Sequence, residues 1–138
     1  QAMMMQDQGA PSPAKAKAAK MPKKKADMEE NVPPRITSGS SAEALALAPR
    51  LERAGARMYG AYWCSHCSNQ KKELGVEAGK SFSYIECDKE GKNSQYPLCK
   101  ANKIPGYPTW ELYGEFVPGE KSLPELAKLL TSLEAKHQ

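Results

Sequence analysis

Histidine is nearly absent from this chain: of 138 residues, only His66 and His137 could bring an imidazole to a metal or to acid–base chemistry. Cysteine is sparse too. Of four, only Cys64 and Cys67 stand at Cys-x-x-Cys spacing, while Cys87 and Cys99 each stand alone. A zinc site built on the first pair would need a second pair at similar spacing, so that reading is short of ligands and no metal or cofactor is expected. No apolar run approaches the roughly 20 residues of a membrane-spanning helix, which points to a soluble or peripheral protein. Nor does a hydrophobic signal core follow Gln1, so any targeting peptide is expected to have been removed or never included. Four cysteines, an even number, suit an oxidising compartment.

What the chain does have is one organising run, Met58-Tyr59-Gly60-Ala61-Tyr62-Trp63-Cys64-Ser65-His66-Cys67. Its apolar and aromatic part reads as a buried strand ending at Trp63, and the polar stretch after it, Ser68 to Leu74, reads as a helix, so both cysteines fall at a helix N-terminus. Unpaired N–H groups and the positive end of the helix dipole stabilise a thiolate there. Cys64 is therefore the expected nucleophile and Cys67, one turn on, the resolving thiol.

The first third of the chain is a separate region. Residues 1–35 are low-complexity and basic, with Ala14 to Lys25 bracketed by Pro11, Pro13, Pro33 and Pro34, and they carry +3 of the chain's +4 charge. A solvated linker is the default for such a segment, and an arm laid along a partner surface is the alternative. Nucleic acid is set aside as its partner, because no aromatic residue interleaves the lysines and no recognition fold accompanies them. The folded domain is expected over residues 36–138.

Within that domain the signals alternate. Ser40 to Glu43 has the pattern of a capping box with Ser40 as N-cap, opening a helix through Ala54 that Pro49 should kink or break near Leu45 and Ala46, with Gly55 as its stop. The Cys-x-x-Cys helix runs to about Ala78 with a weak point at Gly75. Ser81 to Cys87 alternates as a second strand, Asp88 to Asn93 is a polar loop, and Gln95 to Ile104 is a short helix with Pro97 in its first turn. Two short runs across a Gly114-Glu115 turn form a hairpin, and Ser122 caps a last helix with Pro124 in its first turn and Glu125 completing a box. The order helix, strand, helix, strand, helix, hairpin, helix predicts an α/β fold with a mixed central sheet flanked by helices.

Trp63-Cys64-x-x-Cys67, followed some forty residues later by Ile104-Pro105-Gly106-Tyr107-Pro108-Thr109, resembles the thioredoxin fold. There the proline corresponding to Pro108 is cis and faces the redox pair, which would set the backbone of Tyr107 beside Cys64 for pairing with an extended substrate. The longer pattern, with Glu86-Cys87, Cys99 and Gly106 to Trp110, resembles the thioredoxin-like domain fused to vitamin K epoxide reductase homologues of cyanobacteria and plant chloroplasts. That resemblance covers about Ala54 to Leu130 and implies a disulfide between Cys87 and Cys99, whose closure would stabilise by about 3 kcal/mol. It also implies protein dithiol and disulfide substrates, and a location in the thylakoid lumen. Because the fused membrane domain is absent, a separate membrane-embedded redox partner is implied as well.

The chain departs from the thioredoxin pattern where a buried acid stands six residues before the first cysteine; that position is Met58, and Glu86 is the candidate substitute. His66, between the cysteines, resembles the protein disulfide isomerases and is expected to add positive or donor character beside Cys64, favouring an oxidant or isomerase. Trp63 and Tyr107 are expected in the substrate groove, Trp110 in the core or at its rim, and Lys71 and Lys72 on a solvated helix face. Two functions follow: a thiol–disulfide oxidoreductase working through Cys64, Cys67, His66 and Pro108, or a structural subunit anchored by its arm to a large photosynthetic membrane complex.

Overall fold

A computed structural model of the chain describes residues 31–137, so the arm expected over residues 1–35 falls, up to residue 30, outside the described residues. The elements run in the expected order: α1 (Ala42–Arg53), β1 (Arg57–Gly60), α2 (Ser65–Ala78), β2 (Ser83–Glu86), α3 (Tyr96–Ala101), β3 (Thr109–Leu112), β4 (Glu115–Pro118) and α4 (Leu123–Lys136). The four strands form one sheet in the order β2-β1-β3-β4. β1 pairs parallel with β2 and antiparallel with β3, and β3 pairs antiparallel with β4. This is the mixed, helix-flanked α/β sheet of the thioredoxin-like architecture.

Alternation along β1 divides the interior in two, because successive side chains of a strand point to opposite faces. Met58 enters the larger core with Trp110 and Leu112 of β3, Leu47 and Leu51 of α1, Leu74 of α2, and Leu126 and Leu130 of α4. Tyr59 points the other way, into a smaller core with Ile85, Cys87 and Cys99. Each leucine removed completely from water contributes about 1.5–3 kcal/mol, so the leucine stripe of α4 is the principal anchor of the last helix. Trp110, expected in the core or at its rim, is fully buried, its ring edge-on to Phe82 at 5.0 Å.

Several local expectations are corrected. β1 ends at Gly60, not at Trp63, because residues 61–63 turn to lead into α2. α1 continues through Pro49 unbroken, its Ala44, Leu47 and Leu51 buried against the core, so packing outweighs the single hydrogen bond that proline removes. The N-cap of α1 is Ser41, which accepts from the Ala44 N–H at 3.1 Å, and Ser40 is spent elsewhere, on α2. α3 covers only Tyr96–Ala101 of the ten residues expected. The hairpin turns at Tyr113 and Gly114, one residue earlier than expected, both at positive φ as a two-residue hairpin loop requires. Two caps are as expected: Gly55 stops α1 at φ of 61° just past the C-cap Ala54, and at α4 the Ser122 hydroxyl accepts from the Glu125 N–H at 3.2 Å while Glu125 accepts from the Ser122 N–H at 2.7 Å.

Candidate active site

Cys64 is the N-cap of α2, with extended backbone, and its Sγ accepts from the Cys67 N–H at 3.3 Å. A sulfur placed there takes the bond that a serine or aspartate oxygen would normally take at a helix start. Both sulfurs are free thiols. Cys64 is 7% exposed and Cys67 2%, so both are buried and the first is the less enclosed. Burial pushes the Cys67 thiol up to about 12, helped by its hydrogen bond with Cys64, while the Ala61 backbone and the charge of Lys71 pull the other way. Cys67 fits against β1 because Gly60 has no side chain: a Cβ there would lie 2.7 Å from the Cys67 Sγ and 3.1 Å from Cε1 of Tyr84.

The loop before β3 closes the site from the opposite side. The Tyr107–Pro108 peptide bond is cis, and the Tyr107 carbonyl oxygen lies 3.8 Å from the Cys64 Sγ. Thr109 locks the same loop by donating its hydroxyl to the Gly106 carbonyl at 2.7 Å. Trp63 is 59% exposed, stands edge-on to the Tyr107 ring at 5.9 Å, and donates its indole N–H to Asp88 at 2.6 Å. His66 turns to Glu120, with Nδ1 2.8 Å from the carboxylate. Beside them runs an open groove of about 550 Å³, lined by His66, Glu73, Tyr107, Pro108 and Glu120 among others. Trp63, Cys64, His66, Cys67, Tyr107 and Pro108 thus share one end of the molecule.

Cys87 and Cys99 are joined by a disulfide with Cα atoms 5.7 Å apart, tying the residue after β2 to α3. It lies in the smaller core with Tyr59 and Ile85, and Tyr107, which lines the groove, packs against that core from outside. Met58 is fully buried among apolar residues. Glu86 is buried, its carboxylate accepting from the Tyr84 hydroxyl at 2.8 Å and from the N–H groups of Tyr62 at 3.1 Å and Asp88 at 3.2 Å. Lys71 corrects an expectation: Lys72 is exposed, but Lys71 is half-buried, its ammonium 3.7 Å from the centre of the Tyr84 ring, and the same burial lowers its pKa.

Gln70 is a residue the sequence reading missed. Fully buried, it donates to the Lys121 carbonyl at 2.8 Å and accepts both from the Trp110 indole at 3.1 Å and from the Lys121 N–H at 2.7 Å. These bonds pin α2 to β3 and to the segment before α4, fixing the helix that carries the cysteines. Its signal was periodicity: Gln70 stands between Cys67 and Leu74 on the buried face of α2.

In comparison with known proteins, the chain is 44% identical over 97 residues to the thiol-disulfide oxidoreductase LTO1 of Arabidopsis thaliana, taking in 68% of this chain. The chain spans about a quarter of that relative's length, 26%. No family model matches the chain. That relationship, together with the mixed sheet and the cysteine pair at the start of α2, makes this chain a thioredoxin-like domain homologous to a plant thiol-disulfide oxidoreductase.

Proposed function

We propose that the chain is a thiol–disulfide oxidoreductase of the disulfide oxidant or isomerase type, acting on protein substrates. The observation that carries this is the difference between the two thiols. Cys64 is the less buried of the two, at the helix end and 3.8 Å from the Tyr107 carbonyl, whereas Cys67 is enclosed behind it. Cys64 as thiolate attacks a client disulfide, one client sulfur departs as thiolate, and a mixed disulfide forms beside Pro108. Cys67 as thiolate then attacks the Cys64 sulfur, closing the pair and releasing the second client thiolate, so two electrons pass to the client. Run backwards, the closed pair passes its disulfide to a client dithiol.

Trp63 and Tyr107 supply the apolar wall of the client groove, and His66, with Glu120 as its partner, adds donor character at the helix end. The disulfide Cys87–Cys99 serves the scaffold and takes no part in exchange. Residues 36–138 make up the catalytic unit, and the basic residues 1–35 serve as an arm toward a partner, whether a separate membrane-embedded redox protein or a larger membrane complex. Family resemblance and a plant relative support a chloroplast, lumenal setting. Among the described residues no helix is long and apolar enough to cross a membrane.

Replacing the resolving thiol tests the reading. Cys67→Ser should accumulate mixed disulfides with client proteins through Cys64, visible as reductant-sensitive adducts, and Cys64→Ser should accumulate none. Equal trapping by both variants, or by neither, would contradict the assignment.

A further inference from the structure

The resolving step poses a problem that the pair alone does not solve. Cys67 must become a thiolate while 2% exposed, and desolvation opposes that. The neighbouring strand offers no help, since β1 contributes Gly60 and the apolar Met58 at this point. The titratable groups facing Cys67 are Cys64 at the N-cap of α2, Lys71 from α2, Tyr84 from β2 and Tyr107 from the loop before β3, while Glu86 of β2 is turned to Tyr84 and Lys71. Of these, Lys71 alone is a cation.

Its placement is built. Lys71 follows Cys67 by four residues on the same helix and so shares its face. The ammonium is held over the face of Tyr84 at 3.7 Å, and that ring lies at van der Waals reach of the Gly60 site that the Cys67 Sγ also fills. The Tyr84 hydroxyl in turn donates to Glu86 at 2.8 Å, and Gly91 closes over Glu86, where a Cβ would stand 2.5 Å from its carboxyl carbon. The ring seats a long, otherwise mobile side chain at the back of the redox pair, and the charge of Glu86, bonded to the hydroxyl of that ring, attracts it.

We infer that Lys71, seated on Tyr84 and faced by Glu86, is the positioning residue whose positive charge ionises Cys67 for the resolving step. This rests on the oxidoreductase reading. The Cys67 proton leaves to solvent, the Lys71 ammonium offsets the charge left on sulfur, and the thiolate attacks Cys64. The S–S bond between the cysteines forms as the bond to the client sulfur breaks, and the client thiolate carries off the electron pair. Lys71 is neither consumed nor oxidised.

Stopped-flow mixing of the reduced protein with excess 5,5′-dithiobis(2-nitrobenzoate) tests this without any natural client. One nitrothiobenzoate leaves when Cys64 attacks the reagent, and a second leaves, independently of reagent concentration, when Cys67 displaces it. In Lys71→Met the second phase should slow about tenfold or more near neutral pH, its rate–pH curve displaced upward by about a unit or more. Lys71→Arg, which keeps the charge over the ring, should stay close to the parent curve. A merely structural lysine would change melting temperature but leave the curve where it was. An unshifted curve in Lys71→Met would overturn the inference alone, and a parent protein with no second phase at any pH would overturn the oxidoreductase reading and this inference with it.

Discussion

Cys67 links the proposed redox chemistry to stability, because its thiol is held well above the ordinary range by the same burial that shields it. A group whose pKa is raised by folding contributes stability that is complete below the unfolded value, here 9.0, and that is lost as pH climbs toward the folded value of about 12. In urea denaturation of the dithiol form, the parent should therefore lose more stability than Cys67→Ala as pH is raised above about 9; parallel losses would contradict the burial of this thiol. The meeting of the cysteine pair with the cis proline was legible in the sequence, since Cys-x-x-Cys and the distant Gly106-Tyr107-Pro108 each mark a backbone position. The surroundings of Cys67 were not. Lys71 looks like any lysine on a polar helix face, and only the pairing of β1 with β2, which sets Met58 opposite Tyr84, puts an aromatic ring beneath it.

At the scale of elements, α2 is a helix interrupted by another part of the chain. Gly75 has φ of 83°, and the segment before α1 enters the break: the Val76 N–H donates to the Ser38 carbonyl at 2.9 Å, the Ser40 hydroxyl donates to the Leu74 carbonyl at 2.7 Å, and it accepts from the Ala78 N–H at 2.9 Å. A Cβ on Gly75 would stand 2.7 Å from the backbone of Ser40, so both the conformation and the close approach need glycine. Ser40→Ala should cost about 1–3 kcal/mol in urea denaturation, by leaving helix backbone groups without their partner. A loss no larger than that of an exposed serine would contradict the splice. The weak point at Gly75 was visible in the sequence. Its filling was not, because Ser40 fits a capping pattern equally well, and the choice between local cap and tertiary bond is made by α2, more than thirty residues away.

In the whole molecule, the sheet order places the start of α2 and the loop before β3 at one end, and this juxtaposition makes a site of residues far apart in sequence. The element order was readable because hydrophobic period and turn residues change cleanly between segments. The N-cap of α1, the ends of β1 and α3, and the role of Gln70 depend on contacts between elements and left only faint local traces. The relationship to the Arabidopsis oxidoreductase covers about a quarter of that protein, so the activity of this domain has to be read from its own thiols. An equilibrium titration of Cys64 and Cys67 against glutathione, followed by the mass shift on alkylation, measures that directly. A working oxidant or isomerase shows a reversible two-electron transition at about −180 mV, the range of disulfide isomerases, with Cys64 open to alkylation when reduced, and that is the expected result. A pair that stays oxidised below about −300 mV and exchanges with no thiol would be a structural disulfide, and would contradict the proposed activity.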